Sequence, residues 1–265
     1  VLAALAALAP LGSIGTAAAA IGALIFTSGS LDATREQILI AEQGQYTDRY
    51  SRAVEQLGQH GPEKLQVRLG GIYALERLSR DSPRDQPTIL EMVSAFVRST
   101  APAELNDSRF RCPAARPDRL EVDIQAALTV LGRRDTGHDD DAAVDLAGTC
   151  LARADLSEAA IARADLGNAD LDSADLRRAD LSAASVIYTN LRGARLDGAR
   201  LDRAVLFSGD LTRANLSSAS LREADLSVAT SMTPASFVPT SPRRTCRSRN
   251  SGRSSSPRHA CAKRT

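Results

Sequence analysis

The chain has 265 residues, 25% of them charged, and a formal net charge of +1, so no global charge singles out nucleic acid or an anionic membrane as its partner. Aromatic residues make up 3% and Trp is absent, which excludes a conventional core built on large rings. Four cysteines, Cys112, Cys150, Cys246 and Cys261, are scattered with no close pair; this spacing speaks against a zinc site or a disulfide framework and fits a reducing compartment.

Residues 1–31 contain no charged side chain, and Val1 to Phe26 is almost entirely Ala, Leu, Ile and Gly. About 20 apolar residues cross a bilayer as a helix, so a single-pass transmembrane segment is expected here. Arg35, Arg49 and Arg52 follow it and predict a cytoplasmic C-terminal side of a cell inner membrane. The first residue is Val rather than Met, so a start upstream is expected. Next, residues 34–133 are expected to form a small all-α domain of four helices. Thr34–Leu57 carries Tyr46, Tyr50, Val54 and Leu57 on one face, and Gly58 to Pro62 ends it. Lys64–Arg80 has two apolar stripes, so it should pack on two sides. Thr88–Ser99 points Ile89, Val93, Phe96 and Val97 inward. Pro102–Pro117 reads as loop, and Leu120–Gly132 repeats the helical spacing with Ile124, Ala127, Leu128 and Leu131.

Residues 134–143 include His138-Asp139-Asp140-Asp141 and are expected to be a solvated linker. The chain contains no phosphate-cradling loop, GxSxG, HExxH or CxxC. His60, His138 and His259 lie in three unrelated segments. No catalytic residue, cofactor-binding residue or metal ligand is therefore expected.

From Val144 the pattern changes. An apolar residue recurs every five positions: Leu146, Leu151, Leu156, Ile161, Leu166, Leu171, Leu176, Leu181, Val186, Leu191, Leu196, Leu201, Leu206, Leu211, Leu216, Leu221 and Leu226. Two residues before each sits a small one, usually Ala. A period of five fits neither an α-helix nor a flat strand, so the backbone must bend once per repeat, with the large and small residues lining one axis. Such fixed periods mark solenoids. A test of coil length follows from the charges. Outward residues 20 apart give seven opposite pairs and two like pairs, including Asp175/Arg195 and Asp180/Arg200; spacings of 15 and 25 show no such excess. Twenty residues per coil is the expected repeat. Cys150 is expected to point outward as a solvated thiol.

The motif A(D/N)LXX, seen at Ala154-Asp155-Leu156, Ala164-Asp165-Leu166, Ala174-Asp175-Leu176, Ala214-Asn215-Leu216 and Ala224-Asp225-Leu226, resembles the pentapeptide-repeat family. The resemblance implies a right-handed quadrilateral β-helix over 144–230, with four pentapeptides per coil and about four coils in all. The order of apolar segment, helical domain and repeats is also similar to that of bacterial members.

Outward positions on one side hold Ile187, Tyr188, Val205 and Phe207, where other sides hold Asp, Arg and Ser. Ile187 and Phe207 are 20 apart and should stack on successive coils, giving a candidate interaction face. Residues 231–265 carry eight Arg or Lys and no acid, a composition expected to be disordered. The expected function is a non-enzymatic, membrane-tethered interaction scaffold whose partner is another protein or a second copy. Two alternatives are carried with it. One is a duplex-mimicking topoisomerase binder, as some members of the resembled family are, although the repeats total only −3 and nucleic-acid involvement is not expected. The other is a sensor or enzyme whose active part lies elsewhere.

Overall fold

Bending at every fifth residue is what the chain does. In the computed structural model, which describes residues 37, 40–41, 43–106, 109–113 and 120–230, each pentapeptide from 144 to 230 ends in a turn. The apolar segment 1–31 and the tail 231–265 lie outside the described residues, and the transmembrane and disordered-tail expectations with them. Among the described residues no helix is long and apolar enough to cross a membrane.

The chain divides between Ser82 and Pro83 into two units, inside the stretch 34–133 read above as one helical domain. The first unit holds helix α1, continuous over 43–57, and α2, Leu65–Asp81. The two helices meet closely at Gly71: a Cβ there would lie 2.7 Å from the Ala53 carbonyl oxygen and 2.8 Å from the Leu57 nitrogen. Arg49 of α1 pairs with Asp81 at 3.2 Å, and Arg68 donates to the Gly61 carbonyl at 2.7 Å.

The second unit begins with α3, Gln86–Thr100. A two-stranded antiparallel hairpin follows, β1 (Glu104–Asn106) and β2 (Arg109–Arg111), in the segment expected to be loop. Strands of three residues are too short to show an alternating pattern. Helix α4, Val122–Arg133, packs on α3; Ile124, Ala127, Leu128 and Leu131 of α4 are buried, as are Ile89, Val93 and Val97 of α3.

Residues 134–143, expected to be a solvated linker, are exposed at six of ten positions but carry one buried ion pair. Asp139 accepts from Arg134 at 2.7 Å and from the Gln86 amide at 2.8 Å, and the Arg134 side chain is 7% exposed. The acidic run therefore contains an internal counterion, fixed by a single turn of 3-10 helix at Thr136–His138. Breaking such a pair by removing one partner costs about 3–5 kcal/mol.

The solenoid makes one coil per 20 residues. Fourteen parallel bridges, from Asp145/Asp165 to Asp210/Thr230, all join residues 20 apart. Each coil donates up and down, as in Leu166 N to Ser185 O (2.8 Å) and Asp165 N to Val144 O (2.9 Å). Within each pentapeptide the corner closes by a bond such as Ala154 N to Leu151 O at 3.0 Å. The second residue after every inward Leu has positive φ: fourteen are non-glycine, such as Arg153 (62°), and three are glycine. Left-handed backbone costs a non-glycine residue about 1–2 kcal/mol, so the stack imposes it from both sides. The inward positions from Leu146 to Leu216 are 0–2% exposed. Leu221 and Leu226, in the last described coil, are only half-buried.

The first coil is closed at all four corners by the preceding elements. Arg98 of α3 donates to the Asp145 carbonyl at 2.8 Å. The chain after α3 pairs with residues 148–150 through Ala103 N to Gly148 O and Cys150 N to Ala101 O. The Gln125 amide both donates to and accepts from the Asp155 backbone. Ala160 N donates to Gly132 O, and Arg134 donates to Ala160 O. These bonds satisfy strand edges that would otherwise be open to solvent or to another chain. Close approach is needed at the fourth corner, where a Cβ on Gly132 would lie 2.8 Å from the Ala159 Cβ.

One expectation about cysteine is overturned. Cys112 and Cys150 form a disulfide with Cα atoms 4.9 Å apart. Cys150 is 1% exposed and is no solvated thiol. Its position stacks above Asp170, Asn190 and Asp210 along one corner of the rod, and the chain leaving β2 meets that corner at Cys112.

Candidate interaction face and groove

The residues that aim side chains outward are fixed by the corner chemistry. In A(D/N)LXX the Asp or Asn precedes the inward Leu, and its side-chain oxygen accepts from the backbone nitrogen two residues on. Examples are Asp165 with Gly167 N (2.9 Å), Asn190 with Arg192 N (3.2 Å) and Asp225 with Ser227 N (2.9 Å). This is an Asx-turn. Where it occurs, the turn sets the two residues after the inward Leu at the corner of the coil.

The pentapeptides centred on Leu146, Leu166, Val186, Leu206 and Leu226 form one column of the rod. Ile187, Tyr188, Val205 and Phe207 all lie on it. The Tyr188 and Phe207 rings meet edge to face, with centroids 5.8 Å apart and planes at 83°. Tyr188 remains 56% exposed, while Ile187, Val205 and Phe207 are half-buried. Ile187 stacks over Phe207, one coil on, and Tyr188 N donates to Phe207 O at 3.0 Å.

Beside this cluster the strap from β2 to Cys112 makes a wall. Cys112 N donates to the Asp170 carboxylate at 2.6 Å, and Arg111 lies 3.6 Å from Asp210. The other Arg111 terminal nitrogen is buried without a hydrogen-bond partner. Between wall and rod runs an open groove of about 430 Å³, lined by Phe110, Arg111, Asn168, Tyr188, Ser208 and Asp210 among others. Phe110 and Arg111 were not among the residues singled out from sequence, because nothing local in 102–117 places them on the rod.

The electrostatics vary between columns. On the column holding Asp175, Arg177 pairs with it at 2.6 Å and Arg195 at 3.5 Å. The Arg177 hydrogen bond holds the Asp175 carboxyl below its ordinary range, against the opposing effect of burial. Arg200 pairs with Asp180 at 3.1 Å across one coil, and Arg178 pairs with Glu158. Arg177 thus turns to its own coil, not to Asp197 20 residues on. On the aromatic column the Ser227 side chain, and then its backbone nitrogen, hold Asp225 below the usual carboxylate range.

Chemically this face offers apolar and aromatic contact with hydrogen-bonding groups at its rim. Among the described residues no group of three or more His, Cys, Asp or Glu side chains is placed to hold a metal ion. His138 lies beside Asp135 at 3.4 Å, His60 is far from it in sequence, and His259 lies outside the described residues.

Comparison with known proteins places the repeat. A family model described as pentapeptide repeats matches in eight copies, over residues 142–178, 174–208 and 210–230. No curated protein sequence matches the chain. Among solved structures, a pentapeptide repeat protein from the thylakoid lumen of Arabidopsis thaliana is similar at 27% identity, covering 30% of this chain and 56% of that one, with a TM-score of 0.30. A pentapeptide repeat protein from Nostoc PCC 7120 is similar at 38% identity, covering 29% of this chain and 64% of that one, with a TM-score of 0.29. QnrB1, a plasmid-mediated fluoroquinolone resistance protein, is similar at 20% identity, with coverages of 34% and 61% and a TM-score of 0.24. The chain thus spans less than two thirds of the length of each of these three proteins.

Proposed function

Because residues 142–230 belong to the pentapeptide-repeat family, we propose that the chain is a non-enzymatic protein-interaction scaffold, with the column of Ile187, Tyr188, Val205 and Phe207 as its binding face. The observation that carries this reading is the aromatic cluster itself. A rigid, hydrogen-bonded rod holds four apolar side chains together on one column and leaves Tyr188 largely open to solvent. Aromatic anchors on rigid backbone are what interfaces use, because little side-chain freedom is lost on binding.

In this reading the segment Val1–Phe26 tethers the scaffold to a membrane. The cytoplasmic placement expected from Arg35, Arg49 and Arg52 is set against the Cys112–Cys150 disulfide, which favours an oxidising compartment; we therefore place the repeat domain on the extracytoplasmic side. A duplex-mimicking topoisomerase binder needs a continuous negative surface, and the Arg–Asp and Arg–Glu ladders argue against it.

The test is the double substitution Ile187→Asp with Phe207→Asp in the full chain. Both positions face outward, so the fold should persist by circular dichroism. Proteins crosslinked to the native chain in membranes should be lost from the variant. An unchanged crosslinking pattern and unchanged oligomeric state would sink the reading.

A further inference from the structure

The aromatic column differs from the other three in charge. At its outward positions it carries Asp145, Asp165 and Asp225 and no Arg or Lys. Each other column carries at least three Arg: Arg153, Arg192 and Arg213 on one, Arg177, Arg178 and Arg195 on the next, Arg163, Arg200, Arg203 and Arg222 on the last. Asp145 is taken by Arg98 at 2.8 Å. Asp165 and Asp225 form no ion pair among the described residues. They stand in one register of the column, with Ser185 and Val205 between them on successive coils. Three coil spacings of about 4.8 Å put the two carboxylates about 14 Å apart along the axis. The strap carrying Phe110 and Arg111 walls one flank, so a bound segment is steered along the axis and not across it.

An extended chain rises about 3.3 Å per residue and points every second side chain to the same side. Four residues then span the gap between the carboxylates, and the residue midway faces the apolar cluster. We propose that this column binds an extended segment of a partner protein with the pattern basic–x–apolar–x–basic, the two cations at Asp165 and Asp225 and the apolar side chain against Val205 and Phe207. This rests on the interaction-scaffold reading above and names the chemistry of the partner.

The probe is the fluorescein-labelled peptide Gly-Lys-Ser-Leu-Ser-Lys-Gly, titrated with the full chain at low salt and followed by anisotropy. The peptide should bind. Replacing both Lys by Glu, or the Leu by Ser, should abolish binding. The variant Asp165→Asn with Asp225→Asn removes both charges but keeps the side-chain oxygen that accepts from Gly167 N and Ser227 N. It should fold normally and bind about fivefold more weakly, as expected for two exposed ion pairs. Moving the second Lys one residue closer should weaken binding to the same degree. Equal binding of the Lys and Glu peptides, insensitivity to spacing, or no binding at all would overturn the proposal. So would binding that emerges only when the chain is ended after Thr230, since the chain's own basic tail would then be the occupant. If the peptides fail while Ile187→Asp with Phe207→Asp still releases the crosslinked partner, the partner chemistry is wrong and the scaffold reading stands. If both fail, the face is not an interface.

Discussion

At the scale of single residues, the Asp that precedes eight of the seventeen inward residues is a corner clamp before it is a charge. Its oxygen closes the Asx-turn, which is why Asn serves equally at 190 and 215. Asp175 has a second task, since it also holds Arg177. The carboxyl is held below its ordinary range in the folded chain, chiefly by that bond. A lowered folded pKa gives stability that is complete above the unfolded value of about 3.9 and is lost as pH falls through the folded one. Asp175→Asn keeps the turn and drops the ion pair. It should cost about 1 kcal/mol or less at pH 7, because both partners remain partly exposed, and less in acid, as pH falls through the lowered folded pKa. Urea unfolding midpoints of the two proteins at pH 7 and in acid measure this; a difference undiminished in acid would show the pair to be irrelevant.

At the scale of elements, the cap explains what sequence patterning could and could not reveal. The inward Leu and Ala positions declare themselves because the same physical demand recurs seventeen times, and the stacking of Ile187 on Phe207 follows from the 20-residue coil. The helices were legible from their apolar spacing. The contacts that join α3, the hairpin and α4 to the first coil were not. Each depends on one side chain or one bare backbone position, such as Gln125, Arg134 or Gly132, meeting a partner at least 26 residues away. Nothing periodic marks them. Cys112 and Cys150 are hidden for the same reason, with a separation of 38. Their bond encloses α4 and ties the strap to the rod. Loss of a native disulfide commonly costs about 2–5 kcal/mol, so Cys150→Ser should lower the melting temperature measurably. Chain prepared with thiols blocked at lysis should show both cysteines protected from alkylation. Free thiols at both positions would remove the argument for an oxidising compartment.

At the scale of the whole repeat domain, stability is uneven along the axis. Each coil leans on its two neighbours, so the central coils are supported twice and the last described coil once. Leu191 is 1% exposed, whereas Leu226 is half-buried. Leu191→Ala should cost about 2–5 kcal/mol, and Leu226→Ala well under half as much. Chemical denaturation of the two variants checks the ranking; equal losses would mean that the final coil is covered. Amide exchange should follow the same gradient, slow under the cap and fast at 211–230.

The one-coil spacing of 20 residues also sets how such a rod can change length. Four pentapeptides complete a circuit, so inserting or deleting four at once slides the downstream chain along the axis and leaves its outward sides in place. Losing a single pentapeptide between Tyr188 and Val205 instead rotates everything after it by a quarter turn. Phe207 would swing to a neighbouring side, the ring pair with Tyr188 would separate, and Asp225 would no longer stand below Asp165, although every inward leucine would still find its seat. A rod of this kind tolerates such a change in its core and registers it only on its surface.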